Sequence, residues 1–400
     1  MPCRIENLAL LIGSNPLPNF IVAKMLKPKR IRGYYSAQTK IVWERLKESI
    51  QRDLQLKTTD FENVELSDPN DTRKIKNEAL NLSYWHLNYT GGTKTMSAFI
   101  YHLFRESKGF ETASYLDDHD PAKACLRFDN GTNEAVDVAI DMVTFASLHG
   151  FTPPTDSAHG SAEGGPSEKD ALAIAEKVLS DEQLKNRVFL YSKDNRDNKD
   201  NSPVALVDKL VVNFRDFPKE LPESWKEWLP VIGLPESWKE LSSKKRERWS
   251  KFFSGTWLEE YVKGLLKPMN GNHFLDSGIH YFFPGDKASI FELDVVIIRK
   301  HRLYAISCTT DASVNLCKSK GFEILHRVRQ LGGDMARAGL LCFLSDEECR
   351  NKIKKPIRKN WDAPTDIEVW GIDSLQSWHE DLKNGSIPAQ LKEWLDKENN

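Results

Sequence analysis

Over roughly its first 145 residues the chain switches repeatedly between strand-like and helix-like hydrophobic periods, and that alternation admits few folds. IENLALLIG (5–13) reads as a buried strand, and PNFIVAKML after it as a helix with Pro18 in its first turn. KRIRGYYS reads as a strand, TKIVWERLKESIQRDL as a helix, FENVELS as a strand, and DPNDTRKIKNEALNL as a helix. LSYWHLNYT is a fourth strand, KTMSAFIYHLFRES its helix, and FETASYLD and ACLRFDN finish the series as strands. Such an order predicts a mostly parallel sheet with helices on both faces, and ligands of these sheets sit beyond the C-terminal strand ends. Gly13-Ser14-Asn15 and Thr90-Gly91-Gly92 both fall there.

The second of these lies within NYTGGTKTMS (88–97), which has the composition of a phosphate loop. It is not that of a common ATPase, which requires Gly, four spacers and Gly-Lys-[Ser/Thr]. Here Asn88 replaces the first glycine and Thr93 precedes Lys94.

Residues 150–168 are rich in Pro, Gly and Ser and read as a linker. In the polar stretch that follows, ALAIAEKVL is a short helix, KDNRDNKDNS a solvated loop, and LPESWKE occurs at 221–227 and again at 234–240. Two copies are too few for a solenoid and read as Trp-anchored helical turns, with base stacking by Trp225 and Trp238 as the minority reading. From Gly255 the pattern sharpens into helix (GTWLEEYVKGLL), three strands (FLDSGIHYFF, FELDVVIIR, RLYAISCTT), helix (GFEILHRVRQLGG) and strand (ARAGLLCFL), with DIEVWGI as a further strand.

The formal net charge of −2 places no nucleic-acid signal on the chain as a whole. None of the six cysteines forms a CxxC pair, which argues against zinc and fits reduced thiols in the cytoplasm. No stretch approaches the roughly 20 apolar residues of a membrane span, and no signal peptide is expected.

The candidate chemistry lies in the second half. Alternation in FELDVVII places Glu292 and Asp294 on the face shared with Val296 and Ile298, where carboxylates are costly unless paired or metal-bound. Ala305, Ser307 and Thr309 share one face of the next strand. Glu259 or Glu260 with Asp294 and Glu323 around one strand end would suit Mg²⁺ or Mn²⁺ acting on a phosphodiester.

At these residues the chain resembles a known family. LLIGSNPLPN, YYSAQTK and NYTGGTKTMS resemble a CARF domain, the Rossmann-like sensor of cyclic oligoadenylates in type III CRISPR defence. GTWLEEYV, FELDVVII, YAISCTT and FEILHRVRQLGG resemble the PD-(D/E)xK nuclease domain of CARF-fused nucleases. The resemblance implies an α/β protein with a CARF domain over 1–148, a connector over 149–250 and a restriction-endonuclease-like α/β domain over 251–400. It implies a cytoplasmic homodimer that binds cyclic tetra-adenylate and is thereby activated for metal-dependent cleavage of DNA or RNA.

The ring would lie against Gly13, Ser14, Asn15, Pro16, Ser36, Thr39, Thr90, Gly91, Gly92, Thr93, Lys94 and Thr95. Lys94 would supply charge there, and the glycines close approach. Asp294, Glu323, Ser307, Thr309, Glu259 and Glu260 would form the catalytic group, with Asp294, Glu323 and Glu260 as metal ligands. The family's strand reads Glu or Ser, then Cys, then Lys. Here it reads Ser307-Cys308-Thr309, so the lysine must come from elsewhere, with Lys318 and Lys320 in range, or the domain is slow or silent. The alternatives to an activated nuclease are a sensor whose second domain only binds, and a ring nuclease that degrades its own activator.

Overall fold

A computed structural model of the chain describes residues 5–79, 81–107, 112–118, 123–151, 166–180, 204–205, 212–213, 242, 248, 252–270, 274–283, 286–361 and 367–396. Most of the expected linker, the KDNRDNKDNS stretch, both LPESWKE copies with Trp225 and Trp238, and Cys3 lie outside the described residues.

The first part is built from β1 (Asn7–Leu11), α1 (Leu17–Leu26), β2 (Arg30–Ser36), α2 (Lys40–Leu54), β3 (Phe61–Leu66), α3 (Thr72–Glu78), β4 (His86–Asn88), α4 (Lys94–Glu106), β5 (Ala113–Asp117), β6 (Cys125–Phe128) and β7 (Asn133–Ala135). Its sheet runs β3-β2-β1-β4-β5-β6-β7, parallel from β3 to β5 and antiparallel beyond. Strand order reverses between β1 and β4, which makes their C-terminal ends the switch point where such sheets bind ligands. On one face Phe20 of α1 and Trp43 and Leu46 of α2 bury against Leu8, Leu10 and Ile31. On the other, Ile75 of α3 and Met96, Ile100 and Phe104 of α4 bury against Ala9, Leu11, Val64 and Leu87. Truncating a side chain as enclosed as Trp43 costs about 3–5 kcal/mol.

The strand expected over LSYWHLNYT is confined to His86–Asn88. Tyr84 has φ +68°, and the amide of Trp85 donates to the carbonyl of Leu82, so the chain turns just before β4.

Helix α5 (Met142–Leu148) leads out of this domain, and α6 (Glu168–Ser180) packs its apolar side on α7 (Trp257–Asn270). The second sheet runs β8 (Phe274–Phe283), β9 (Asp286–Arg299), β10 (Arg302–Cys308), β11 (Arg337–Leu341) and β12 (Ile367–Trp370), the first two pairings antiparallel and the last two parallel. Leu258 and Tyr261 of α7 pack with Val295, Ile297 and Ile306 on one side. Helices α9 (Ile372–Lys383) and α10 (Ala389–Asp396) close that side through Trp378 and Trp394. Helix α8 (Val314–Gly332) covers the other side with Ile324, Leu325 and Val328 against Val296, Ile298, Leu303 and Ala305.

This α8 layer is one continuous apolar cluster with the α1–α2 layer of the first sheet, and α5, which contributes Phe145 and Leu148 to it, packs against both α2 and α8. The two sheets therefore share a core across their junction.

Helix α8 is longer than GFEILHRVRQLGG. It begins at Val314, where the Ser313 hydroxyl accepts the Leu316 amide. The polar stretch NLCKSK carries no apolar stripe, so its helical state is set by that cap and by packing of Cys317.

Candidate functional site

The loops after β1 and β4 are fitted to each other. A Cβ on Gly91 would fall 2.1 Å from the carbonyl oxygen of Leu11, and one on Gly13 would fall 3.1 Å from the Gly92 nitrogen. Gly92 also has φ +79°, a region that disfavours side chains. Asn19, fully buried in α1, donates to the Leu11 carbonyl at 2.9 Å and lies beside Gly91, so it sets the distance between the loops. Nothing in PNFIVAKML marks Asn19 beyond its place as a polar residue in an apolar helix.

The polar side chains expected at the ligand are largely engaged in turns. Thr90 Oγ1 accepts the Leu116 amide of β5 at 2.7 Å. Thr93 caps α4 by accepting the Met96 amide at 3.1 Å, and Ser97 donates to the Gly91 carbonyl. Asn15 accepts the Leu17 amide, and Thr39 Oγ1 accepts the Ser36 amide. Pro16 and Ser36 are buried, while Thr39 and Thr95 are half-buried. Ser14 and Lys94 are exposed, and Lys94 stands at the first position of α4 with no ion pair among the described residues. Below the loop Asn88 donates to Ser114, whose hydroxyl is 2.7 Å from His86 Nε2, and burial lowers the His86 pKa to about 4. The edge thus presents main-chain N–H groups and a helix N-terminus flanked by one lysine, an arrangement suited to an anion.

In the second domain Asp294 of β9 lies opposite Ser307 of β10. Its Oδ2 accepts Ser307 Oγ at 3.0 Å and the Cys308 amide at 2.7 Å. Burial raises the Asp294 pKa and the neighbouring Glu292 adds to the rise, while the ammonium of Lys320, the Cys308 amide and the Ser307 hydroxyl oppose it. Glu259, in the first turn of α7, is pushed up to about 9 by burial first and then by the charges of Asp294, Glu292 and Glu260, again opposed by Lys320. Glu259, Glu292, Asp294 and Lys320 therefore occupy one electrostatic neighbourhood with Ser307 beside it.

Two of the expected metal ligands are engaged differently. Glu260 pairs with Lys263 at 2.9 Å, and Lys263 is also 3.8 Å from Asp276 of β8. Successive helix positions differ by about 100°, so Glu259 and Glu260 cannot face one point. Glu323 is 62% exposed, with its carboxylate 4.0 Å from Arg327 one turn on. Among the described residues no three His, Cys, Asp or Glu side chains converge to hold a metal ion, so the trio Glu260, Asp294 and Glu323 is not assembled.

Thr309 accepts the Asp311 amide through Oγ1 in the turn towards α8, and its own amide donates to Leu341. The cation near Asp294 is Lys320, carried by α8. Sequence spacing puts both Lys318 and Lys320 in range and does not choose between them.

The chain matches no protein-family model, and no curated protein sequence matches it. Its fold matches solved structures over nearly its full length. Can2 from Sulfobacillus thermosulfidooxidans, in complex with cyclic tetra-adenylate, superposes with TM-score 0.65 at 17% identity, covering 98% of this chain and 99% of Can2. Protein VC1899 from Vibrio cholerae gives TM-score 0.65 at 15% identity, over 99% of this chain and 100% of that one. A type III CRISPR defence DNA nuclease activated by cyclic oligoadenylate gives TM-score 0.51 at 16% identity. That match takes in 86% of this chain, which spans less than half (46%) of the larger nuclease. At these identities the likeness is one of fold. It is the fold expected from the resemblance to CARF-fused nucleases, a Rossmann-like sheet joined to a restriction-endonuclease-like α/β domain. No helix among the described residues is long and apolar enough to cross a membrane.

Proposed function

We propose that this chain senses a cyclic oligoadenylate, cyclic tetra-adenylate in the first instance, and in response cleaves DNA or RNA phosphodiesters as part of type III CRISPR defence. The sensor reading draws support from the anion-receptive edge between β1 and β4 and from the shared fold with Can2, which was solved with that ring. A two-fold ring suits a two-fold interface, so we infer a homodimer with the glycine loops of both copies on one ligand.

The observation that carries the nuclease reading is the half-buried Asp294, held by Ser307 and Cys308 and raised in pKa together with Glu259, with Lys320 alongside. The donor set fits a hard divalent cation: two carboxylates destabilised by burial and mutual repulsion relax when a dication lies between them. Asp294 and Glu259 would hold Mg²⁺ or Mn²⁺. Such an ion supplies Lewis acidity and a water of lowered pKa. The chain's own part is positional: Ser307 and the Cys308 amide fix Asp294, and Lys320 offsets charge on the scissile phosphate.

Lys320 also favours an active enzyme over a binding-only sensor, because it stands where a cation is needed although Thr309 replaces the expected lysine. Incubation with cyclic tetra-adenylate, Mn²⁺, supercoiled plasmid and single-stranded RNA tests the reading. Ring-dependent nicking or RNA cleavage is expected. Tight ring binding without cleavage of either substrate would hand the case to the binding-only sensor.

A further inference from the structure

The second domain docks on the ligand edge of the first sheet at two points that bracket the glycine loop. At one, α8 ends against the β1 loop: a Cβ on Gly333 would fall 2.3 Å from Asn15 Nδ2. At the other, the turn between β9 and β10 meets the residue following β5. His301 Nε2 lies 2.8 Å from Asp118 Oδ1, and Arg302 Nη2 donates to the Asp118 carbonyl oxygen at 3.0 Å and lies 3.4 Å from Oδ1. The Lys300 carbonyl, in the same turn, accepts the Ile140 amide at 2.9 Å. Sheet order sets β4 between β1 and β5, and the Thr90 hydroxyl accepts the Leu116 amide two residues before Asp118. The ligand loop therefore lies between the two docking points.

The elements that dock here also carry the chemistry. The β9–β10 hairpin holds His301 and Arg302 at its turn and Asp294 and Ser307 five to seven residues away, roughly 16–23 Å at strand rise. Helix α8 reaches Asn15 at its C-terminal end and holds Lys320 about 18 Å back along its axis.

Arg302 is 2% exposed, yet its Nε and Nη1 have no hydrogen-bond partner among the described residues, and one aspartate serves both it and His301. A buried guanidinium with two unserved nitrogens is costly, and its planar fork matches phosphate as well as carboxylate.

Building on the cyclic-oligoadenylate reading, we propose that Arg302 is the residue through which the second domain senses the ring. A phosphodiester seated on the glycine loop takes over the Arg302 guanidinium from Asp118. The exchange reseats the β9–β10 hairpin, and with it Asp294 and Ser307 relative to Lys320. Arg302 acts on the reaction only through this hairpin and is a positioning residue.

The test uses the full chain with Arg302→Gln, Arg302→Lys and Asp118→Asn. Ring binding is read by calorimetry, and plasmid or RNA cleavage is read with and without ring. Arg302→Gln should bind the ring roughly 10- to 100-fold more weakly, the loss of a charge-assisted contact, and should lose ring-dependent cleavage. Arg302→Lys should recover part of the affinity. Asp118→Asn, which removes the competing anion, should bind the ring more tightly and cleave measurably without it, an outcome that a merely structural ion pair would not give.

Parent-like ring affinity and parent-like activation in both Arg302 variants would overturn the proposal while leaving the sensor reading intact. Should the Arg302 variants fail to fold, Asp118→Asn decides, and unchanged affinity with no ring-independent cleavage counts against the proposal. If the parent chain binds no ring, the sensor reading fails and this inference falls with it.

Discussion

The two candidate sites treat their polar groups in opposite ways. At the glycine-loop edge, Thr90, Thr93, Asn15 and Thr39 all hold main-chain amides, so the loop shape is fixed by the protein alone and main-chain N–H groups remain to meet a ligand. Around Asp294, the carboxylates of Asp294, Glu259 and Glu292 repel one another and Lys320 offsets them only in part. The first site is preorganised and the second is held in electrostatic tension. Binding at the first should therefore depend on backbone shape supplemented by a few cations such as Lys94, whereas chemistry at the second should depend on a set of coupled charges.

The largest effect is expected at Asp294. Asp294→Ala should lower ring-activated cleavage by about 1,000-fold or more, equivalent to about 4 kcal/mol of transition-state stabilisation, and leave ring affinity unchanged. A variant cutting at the parent rate in plasmid assays would move the active site elsewhere. Glu323→Ala should lose far less, since its exposed carboxylate faces Arg327. A loss as deep as that of Asp294→Ala would restore it as a ligand.

Next comes Lys320. Lys320→Met should slow cleavage roughly 10- to 100-fold with little change in ring binding, because it removes the cation near Asp294. At the sensor edge Lys94→Ala should weaken ring binding by about 1.5–3 kcal/mol, the range of a charge-assisted hydrogen bond, with the maximal cleavage rate kept at saturating ring. A calorimetric titration that finds parent affinity removes Lys94 from the ligand contacts but not the loop.

A smaller effect probes the tension itself. Glu259 has its folded pKa raised to about 9 from 4.5, so the folded chain binds the proton more tightly than the unfolded one. The stability this group contributes is full below pH 4.5 and is lost as pH rises through about 9. Glu259→Gln should then melt at an increasing margin above the parent between pH 6 and 9, roughly 2–4 °C for each kcal/mol relieved. Millimolar Mn²⁺ should raise the melting temperature of the parent and do so less for Glu259→Gln and Asp294→Asn. A margin independent of pH would mean that Glu259 is not held protonated by burial and its neighbours.

The fold was legible where elements advertise their period: β1, β2, β3 and β10 and helices α1, α2 and α4 fall within a few residues of their sequence patterns. What escaped was what one-dimensional spacing cannot carry. Glu259 and Glu260 are equivalent in sequence, and only the rotation of α7 on its sheet turns the first towards Asp294 and the second towards Lys263. Lys320 lies in a stretch without helical periodicity, so its place on α8 depends on the Ser313 cap and on packing. Asn19, Asp118 and Arg302 matter through contacts between segments as much as 184 positions apart.

The smallest expected effect is at Thr309, where the sequence departs from the family pattern it otherwise resembles. Replacing it with lysine would add a charge beside a site that already has one in Lys320, and would remove the hydroxyl that accepts the Asp311 amide in the turn before α8, a loss of about 1 kcal/mol of stability. Thr309→Lys alone is therefore expected to change single-turnover cleavage by less than about tenfold. The informative comparison is the double variant. If Lys320 has taken over the duty of the family lysine, Thr309→Lys should recover cleavage in a Lys320→Met background far more than it improves the parent, a coupling between two positions that serve one phosphate. Equal gains in both backgrounds would mean that the two lysines act independently, and a large gain in the parent would mean that Lys320 does not reach the scissile group.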